Sequence, residues 1–253
     1  MPDTRVGLQL IIYGKRTQTD LPGVLREVAQ AGYHGIEAGA PGDEHQVQQY
    51  RAALEATNLA LVGGHGSFGM WEDPAVLAQC INGVKALGGR YLITSGRSDW
   101  AALDEYRAAA KTLDGVGRRC RDAGLVFCYH NHHWEFAESG GARGIHVLMG
   151  ETDPALVKMC PDVYWVHVGG ENPAEFVTRY GRRSPCLHFK DGLGGEKYAE
   201  FRELGEGVVD IAATLRAALA CEPDWIVVEQ DRTDKDPTES SRISRECLRK
   251  LGL

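Results

Sequence analysis

Short β-branched or apolar runs alternate with amphipathic stretches from one end of the chain to the other. The runs fall at 6–12, 35–38, 60–64, 91–94, 125–130, 163–168, 186–190 and 225–229, and their length and composition predict eight strands. The stretches between them carry helix punctuation. Asp20 with Pro22 marks a helix start and Gly32 its stop, and Asp73-Pro74 opens a helix that ends near Gly88-Gly89. Ser98 or Asp99 caps a longer helix reaching Gly124, Asn172-Pro173 and Asp210 open two more, and 44–57 fills the gap after strand two.

Strands that alternate with helices pair in parallel. Eight such units in 253 residues predict an α/β fold, one (β/α)8 TIM barrel whose single domain spans 1–253. A doubly wound open sheet is the competing arrangement. It would carry a glycine-rich phosphate turn after strand one, where this chain has Ile12-Tyr13-Gly14-Lys15.

Composition then narrows the partners. Hydrophobic residues make up 43%, enough for a real core, and 28 basic against 35 acidic residues leave a charge of −7. That balance repels a phosphate backbone, so the expected partner is a small molecule and not nucleic acid. His130-Asn131-His132 spells HNH, but the ββα context of such nucleases is absent. The seven cysteines form no CxxC pair and read as buried, reduced thiols. Met1-Pro2-Asp3-Thr4-Arg5 runs straight into the first strand without signal-peptide architecture, and no apolar run reaches the ~20 residues of a membrane span. The expected location is the cytoplasm.

Barrel chemistry sits at the C-terminal ends of the strands. Here those ends deliver Glu37, His65, Thr94-Ser95, His130 through Glu135, His188 through Asp191, and Glu229-Gln230-Asp231, while Asp162 begins the sixth segment. One strand-end carboxylate is ordinarily a rim residue, and one histidine is ordinarily structural. Several strands converging such groups on one mouth is a different matter, because packed carboxylates cost several kcal/mol each unless paired or bound to a cation. One divalent metal ion, Mn²⁺, Mg²⁺, Co²⁺ or Zn²⁺, resolves that cost.

The segments Tyr129-His130-Asn131-His132-His133-Trp134-Glu135-Phe136, His188-Phe189-Lys190-Asp191, Leu204-Gly205-Glu206-Gly207 and Val228-Glu229 resemble the xylose-isomerase-like TIM barrels. They are most similar to the branch of sugar phosphate isomerases/epimerases with a YHNHxxEF motif. The resemblance implies a Glu–Asp–His–Glu metal set from strands five to eight. Asp162, His188 and Glu229 match its last three positions. At strand five the chain departs from the pattern: His130 stands where many relatives have a glutamate, and Glu135 lies five residues on. Glu135 is taken as the first ligand, with His130 as the alternative.

The implied chemistry is proton transfer beside a metal-polarised carbonyl, giving isomerisation or epimerisation of a sugar, keto-sugar or polyol. Glu229 serves as ligand and proton acceptor, and His130 or His132 moves the second proton. His65 meets a substrate oxygen, Lys190 stabilises the enolate, and Glu37 orients hydroxyls. Trp134, with Phe68, Trp71 and Trp100, supplies an apolar wall. A lyase or dehydratase acting on a 3-keto-sugar or inosose is the alternative. Outside enzymes, the alternative is a non-catalytic carbohydrate-binding or partner-subunit barrel. The related endonuclease-IV-like enzymes fit poorly with a charge of −7. Exposed helices allow a homodimer.

Overall fold

The computed structural model describes residues 4–253. The reading of Met1, Pro2 and Asp3 as the lead-in to the first strand lies outside the described residues. Eight parallel strands form the wall: β1 (Arg5–Gln9), β2 (Gly35–Gly39), β3 (Ala60–Ser67), β4 (Tyr91–Ser95), β5 (Val126–His130), β6 (Val157–Cys160), β7 (Cys186–Phe189) and β8 (Trp225–Val228). They run β6-β5-β4-β3-β2-β1-β8-β7 around the sheet. The two edges, β6 and β7, meet at a parallel bridge between Asp162 and His188, where the His188 N–H donates to the Pro161 carbonyl at 2.8 Å. The seam of the barrel therefore closes at two of the residues singled out for chemistry.

Several expected boundaries hold. Helix α1 (Leu21–Ala31) is capped by Asp20, whose carboxylate accepts the Gly23 N–H, and it stops at Gly32 with φ 87°. A side chain is disfavoured at that φ, so glycine is required. Helices α2 (Glu44–Thr57) and α3 (Pro74–Ala86) follow β2 and β3 as expected. Helix α4 (Leu103–Asp122) starts later than Ser98 or Asp99. The Glu105 carboxylate accepts the N–H groups of Ala101 and Ala102, both at 2.7 Å, and fixes the start there. Strand β1 ends at Gln9, not at 12. The Gln9 side chain accepts the Ile11 N–H at 2.5 Å and turns the chain into a 3₁₀ turn, Leu10–Tyr13.

The sixth strand is a correction. Residues 163–168, expected as a strand, form helix α6 (Val163–Val168), and the strand is the preceding β6. The run Val-Tyr-Trp-Val-His-Val is buried mainly on Val163 to Val166, so burial gave it a strand-like composition without a strand. Its backbone is committed by Asp162, whose Oδ1 accepts the N–H groups of Tyr164 (2.9 Å) and Trp165 (3.0 Å). Helix α5 (Gly144–Glu151), between β5 and β6, carries no obvious cap and was not anticipated. The later helices α7 (Pro173–Tyr180), α8 (Ile211–Leu219) and α9 (Pro237–Lys250) each begin behind an Asn or Asp cap.

The two-residue period of a strand organises the interior. Inward positions Cys128, Cys160, Cys186 and Val227 belong to one buried cluster inside the barrel, with Tyr91, Ile93 and Trp225. Two residues further along the same strands stand His130, Asp162, His188 and Glu229. A small apolar layer therefore underlies a polar ring. Cysteine suits that layer as a small hydrophobe. All seven cysteines are free thiols, five of them buried. In β3, Val62 belongs to the inner cluster, yet the pairing shifts register between Ile36 and Glu37. This bulge inserts one residue and changes which side chains face inward, and His65 thereby reaches the mouth.

Candidate metal centre

His130, Asp162, His188 and Glu229 are all buried, and each offers a donor atom within 4.8 Å of the others. They come from the ends of β5 to β8, so no two share a strand. Asp162 uses Oδ1 to cap α6, and its buried Oδ2 has no hydrogen-bond partner. The Nδ1 atoms of His130 and His188 are likewise buried without a hydrogen-bond partner. His188 Nδ1 lies directly against a Glu229 carboxylate oxygen, but without hydrogen-bond geometry. Lone pairs turned toward one another and left unpaired are costly, and a divalent cation among them removes the cost. The donor set fits such an ion.

A surrounding shell holds these groups. Glu37 is completely buried, with Oε2 2.7 Å from His188 Nε2 and Oε1 3.1 Å from His65 Nδ1. With Nε2 engaged by Glu37, Nδ1 of His188 is the nitrogen that faces Glu229 and the cluster. The other nitrogen of His65 lies 2.9 Å from Ser95 Oγ. Asn131 clasps the Asp162 backbone in both directions, donating to its carbonyl (3.3 Å) and accepting its N–H (3.0 Å). Lys190 is fully buried; its Nζ is 3.2 Å from Glu229 Oε1, 3.9 Å from Asp162 Oδ2, and ion-paired with Asp231.

Burial and neighbours set the charge states. Burial pushes His130 well below the ordinary histidine value, with Glu229 opposing, and pushes His132 down to about 3. Both are neutral at pH 7, the form in which imidazole donates to a metal. Burial pushes Asp162 up to about 7, with Lys190 pulling the other way. Burial would raise Glu229 too, but Lys190, His188 and His130 hold it well below the carboxylate range. Burial works against the Lys190 ammonium, yet Glu229, Asp162 and Asp231 carry it above its ordinary value.

A cavity of about 390 Å³ opens above the cluster, lined by Gln9, His65, Ser95, His130, His132, Glu229 and Asp231 among others, with Tyr50 and Thr17 toward the rim. Among the described residues lining it there is no Lys or Arg.

Several of the expected site residues lie away from the converging set or from the cavity lining in this structure. Glu135 is outside the converging set: its Oε1 accepts the Tyr129 hydroxyl (2.8 Å) and its Oε2 the His132 N–H (2.9 Å). The 3₁₀ turn Trp134–Phe136 folds it back against β5, and His130 occupies the strand-five position. Glu37 is wholly buried with a histidine against each carboxylate oxygen, and it is not among the residues lining the cavity. Lys190 lies behind the carboxylates and does not line the cavity, and Trp134 stacks on His132 at 4.1 Å without lining it either. Phe68, Trp71 and Trp100 are also absent from the lining; Phe68 meets Trp100 edge-to-face at 5.0 Å.

The strand-end pattern includes Asn131, Ser95 and Asp191 but assigns them no role. Asp191 accepts backbone N–H groups from Gly192, Gly205, Gly207 and Val209 at 2.9–3.1 Å, and so ties the Gly205-Glu206-Gly207 loop to the end of β7. The glycines of that loop, beside a strand-end aspartate, were the available signal.

Similar proteins share this architecture. An inosose dehydratase from Lacticaseibacillus casei is 29% identical over 262 aligned residues, covering 88% of this chain and 86% of its own. The crystal structure of a sugar phosphate isomerase/epimerase from Parabacteroides distasonis superposes with a TM-score of 0.82 at 20% identity, covering 98% of this chain and 94% of its own. The structure of the IolI protein with a bound zinc atom gives a TM-score of 0.77 at 13% identity, covering 98% of each chain. Residues 25–251 match the xylose isomerase-like TIM barrel family. The chain belongs to that family.

Proposed function

We propose that this protein is a metal-dependent enzyme that enolises a keto-sugar or keto-polyol, and that return of the proton completes an isomerisation or epimerisation. The observation that carries this reading is the convergence of His130, Asp162, His188 and Glu229 beneath one cavity, with Asp162 Oδ2 left without a hydrogen-bond partner. A divalent ion held by these four polarises a substrate carbonyl when bound. Glu229 lines the cavity and is ionised, so it accepts the proton from the carbon next to that carbonyl. The Glu229 carboxyl group formed in that step returns the proton to the neighbouring carbon, and His132, on the same cavity, meets the substrate oxygen. His65, with its two ring nitrogens held by Glu37 and Ser95, forms a fixed wall of the cavity. Lys190 fixes and neutralises the carboxylates from behind.

A second reading is favoured by the likeness to inosose dehydratase over 88% of the chain. There the same enolate expels a hydroxyl group from the β carbon and leaves an enone. Incubating metal-loaded protein in D₂O with a panel of keto-sugars and inososes separates the two. Deuterium at the carbon beside the carbonyl, without loss of water, supports isomerisation or epimerisation; an enone absorbance supports dehydration. Glu229→Gln is expected to abolish either signal with the fold retained. If neither signal arises, or both survive that substitution, the catalytic reading falls and a carbohydrate-binding barrel takes its place.

A further inference from the structure

Two of the four donors converging at the barrel mouth are imidazoles, and a third soft group lies directly below them. The Cys160 thiol comes within 4.8 Å of donor atoms of His130 and His188, and all three residues are buried. His188 is aimed by Glu37, which occupies its Nε2 at 2.7 Å. The oxygen donors are less freely available. Asp162 Oδ1 is committed to two backbone N–H groups, and the Lys190 ammonium stands 3.2 Å from Glu229 Oε1 and 3.9 Å from Asp162 Oδ2. A hard ion such as Mg²⁺ is bound through oxygen and negative charge, and here it would find two carboxylates already facing a fixed cation. A borderline ion such as Zn²⁺ or Co²⁺ gains from each imidazole.

Resting on the metal-site reading above, we infer that the centre selects a nitrogen-preferring divalent ion, Zn²⁺ or Co²⁺, over Mn²⁺ and Mg²⁺, and that His130 sets this preference. Most nitrogen–oxygen sites favour Zn²⁺ over Mn²⁺ to some degree, so the informative quantity is how the ratio of affinities changes. Chelator-competition titrations on the full chain give the dissociation constants for Zn²⁺ and Mn²⁺. The ratio of the Mn²⁺ to the Zn²⁺ dissociation constant is expected to fall by about tenfold or more in His130→Glu. An unchanged ratio in a variant with native circular dichroism overturns the inference.

An independent measurement needs no substitution. Pulsed electron paramagnetic resonance of the Cu²⁺-loaded protein counts the coordinated imidazoles, and two are expected. One imidazole overturns the inference even where His130→Glu fails to fold. Binding with one imidazole leaves the metal-enzyme reading standing, whereas no binding of any divalent ion removes both.

Discussion

The Nε2 of His188, on β7, lies 2.7 Å from Oε2 of Glu37, on β2, and both side chains are wholly buried. The carboxylate fixes the ring so that Nδ1 faces the candidate metal position, and it raises the basicity of the ring. The same Glu37 reaches His65 with its other oxygen, so one buried charge orients two histidines.

Glu37→Gln keeps the shape and removes the charge. Zn²⁺ affinity should drop about 10- to 100-fold, as measured by calorimetric titration, with the secondary structure unchanged. An unaltered dissociation constant would reduce Glu37 to a packing role.

Lys190 is the buried cation shared by Glu229, Asp162 and Asp231. Lys190→Met keeps a stem of similar length but removes the ammonium, which lies over the Trp165 and Phe201 rings, and so strands the carboxylates. In the metal-free protein the loss should be about 3–5 kcal/mol by urea denaturation. Saturating Zn²⁺ should recover part of it by neutralising Asp162 and Glu229. Equal losses with and without metal would show that the ammonium and the metal site are energetically independent.

Glu135 gives a pH signature. Burial pushes its carboxyl from 4.5 up to about 7, so the folded protein holds this proton more tightly than the unfolded chain. Its contribution to stability is complete below the unfolded value and is lost as pH rises through the folded one. Between about pH 4 and about pH 8 this group should withdraw about 3 kcal/mol, and Glu135→Gln should lack that slope. Asp162 titrates in the same range in both proteins and cancels in the comparison. Identical pH dependences of denaturation for the two proteins would refute the assignment.

Periodicity carried most of the fold. Seven of the eight strands were legible because a barrel strand is a short apolar run between capped helices, and local chemistry marks both. The exception was local too: at Asp162 a side-chain cap outweighed a strand-like composition and turned 163–168 into α6. The cluster was legible in kind, since polar side chains at strand ends converge once the barrel closes. Which of them converge was less so. Choosing between His130 and Glu135 required knowing that Tyr129 and the His132 N–H capture the Glu135 carboxylate.

The sequence by itself determined the alternation of elements and the acidic and imidazole character of the barrel mouth. Those are properties of neighbours along the chain. Tertiary structure alone decided that Glu37 stands behind His188, that Lys190 lies beneath the carboxylates, and that a bulge in β3 turns His65 inward. Each depends on strand pairing and register across the closed barrel, where a shift of one residue reverses the direction of every side chain that follows.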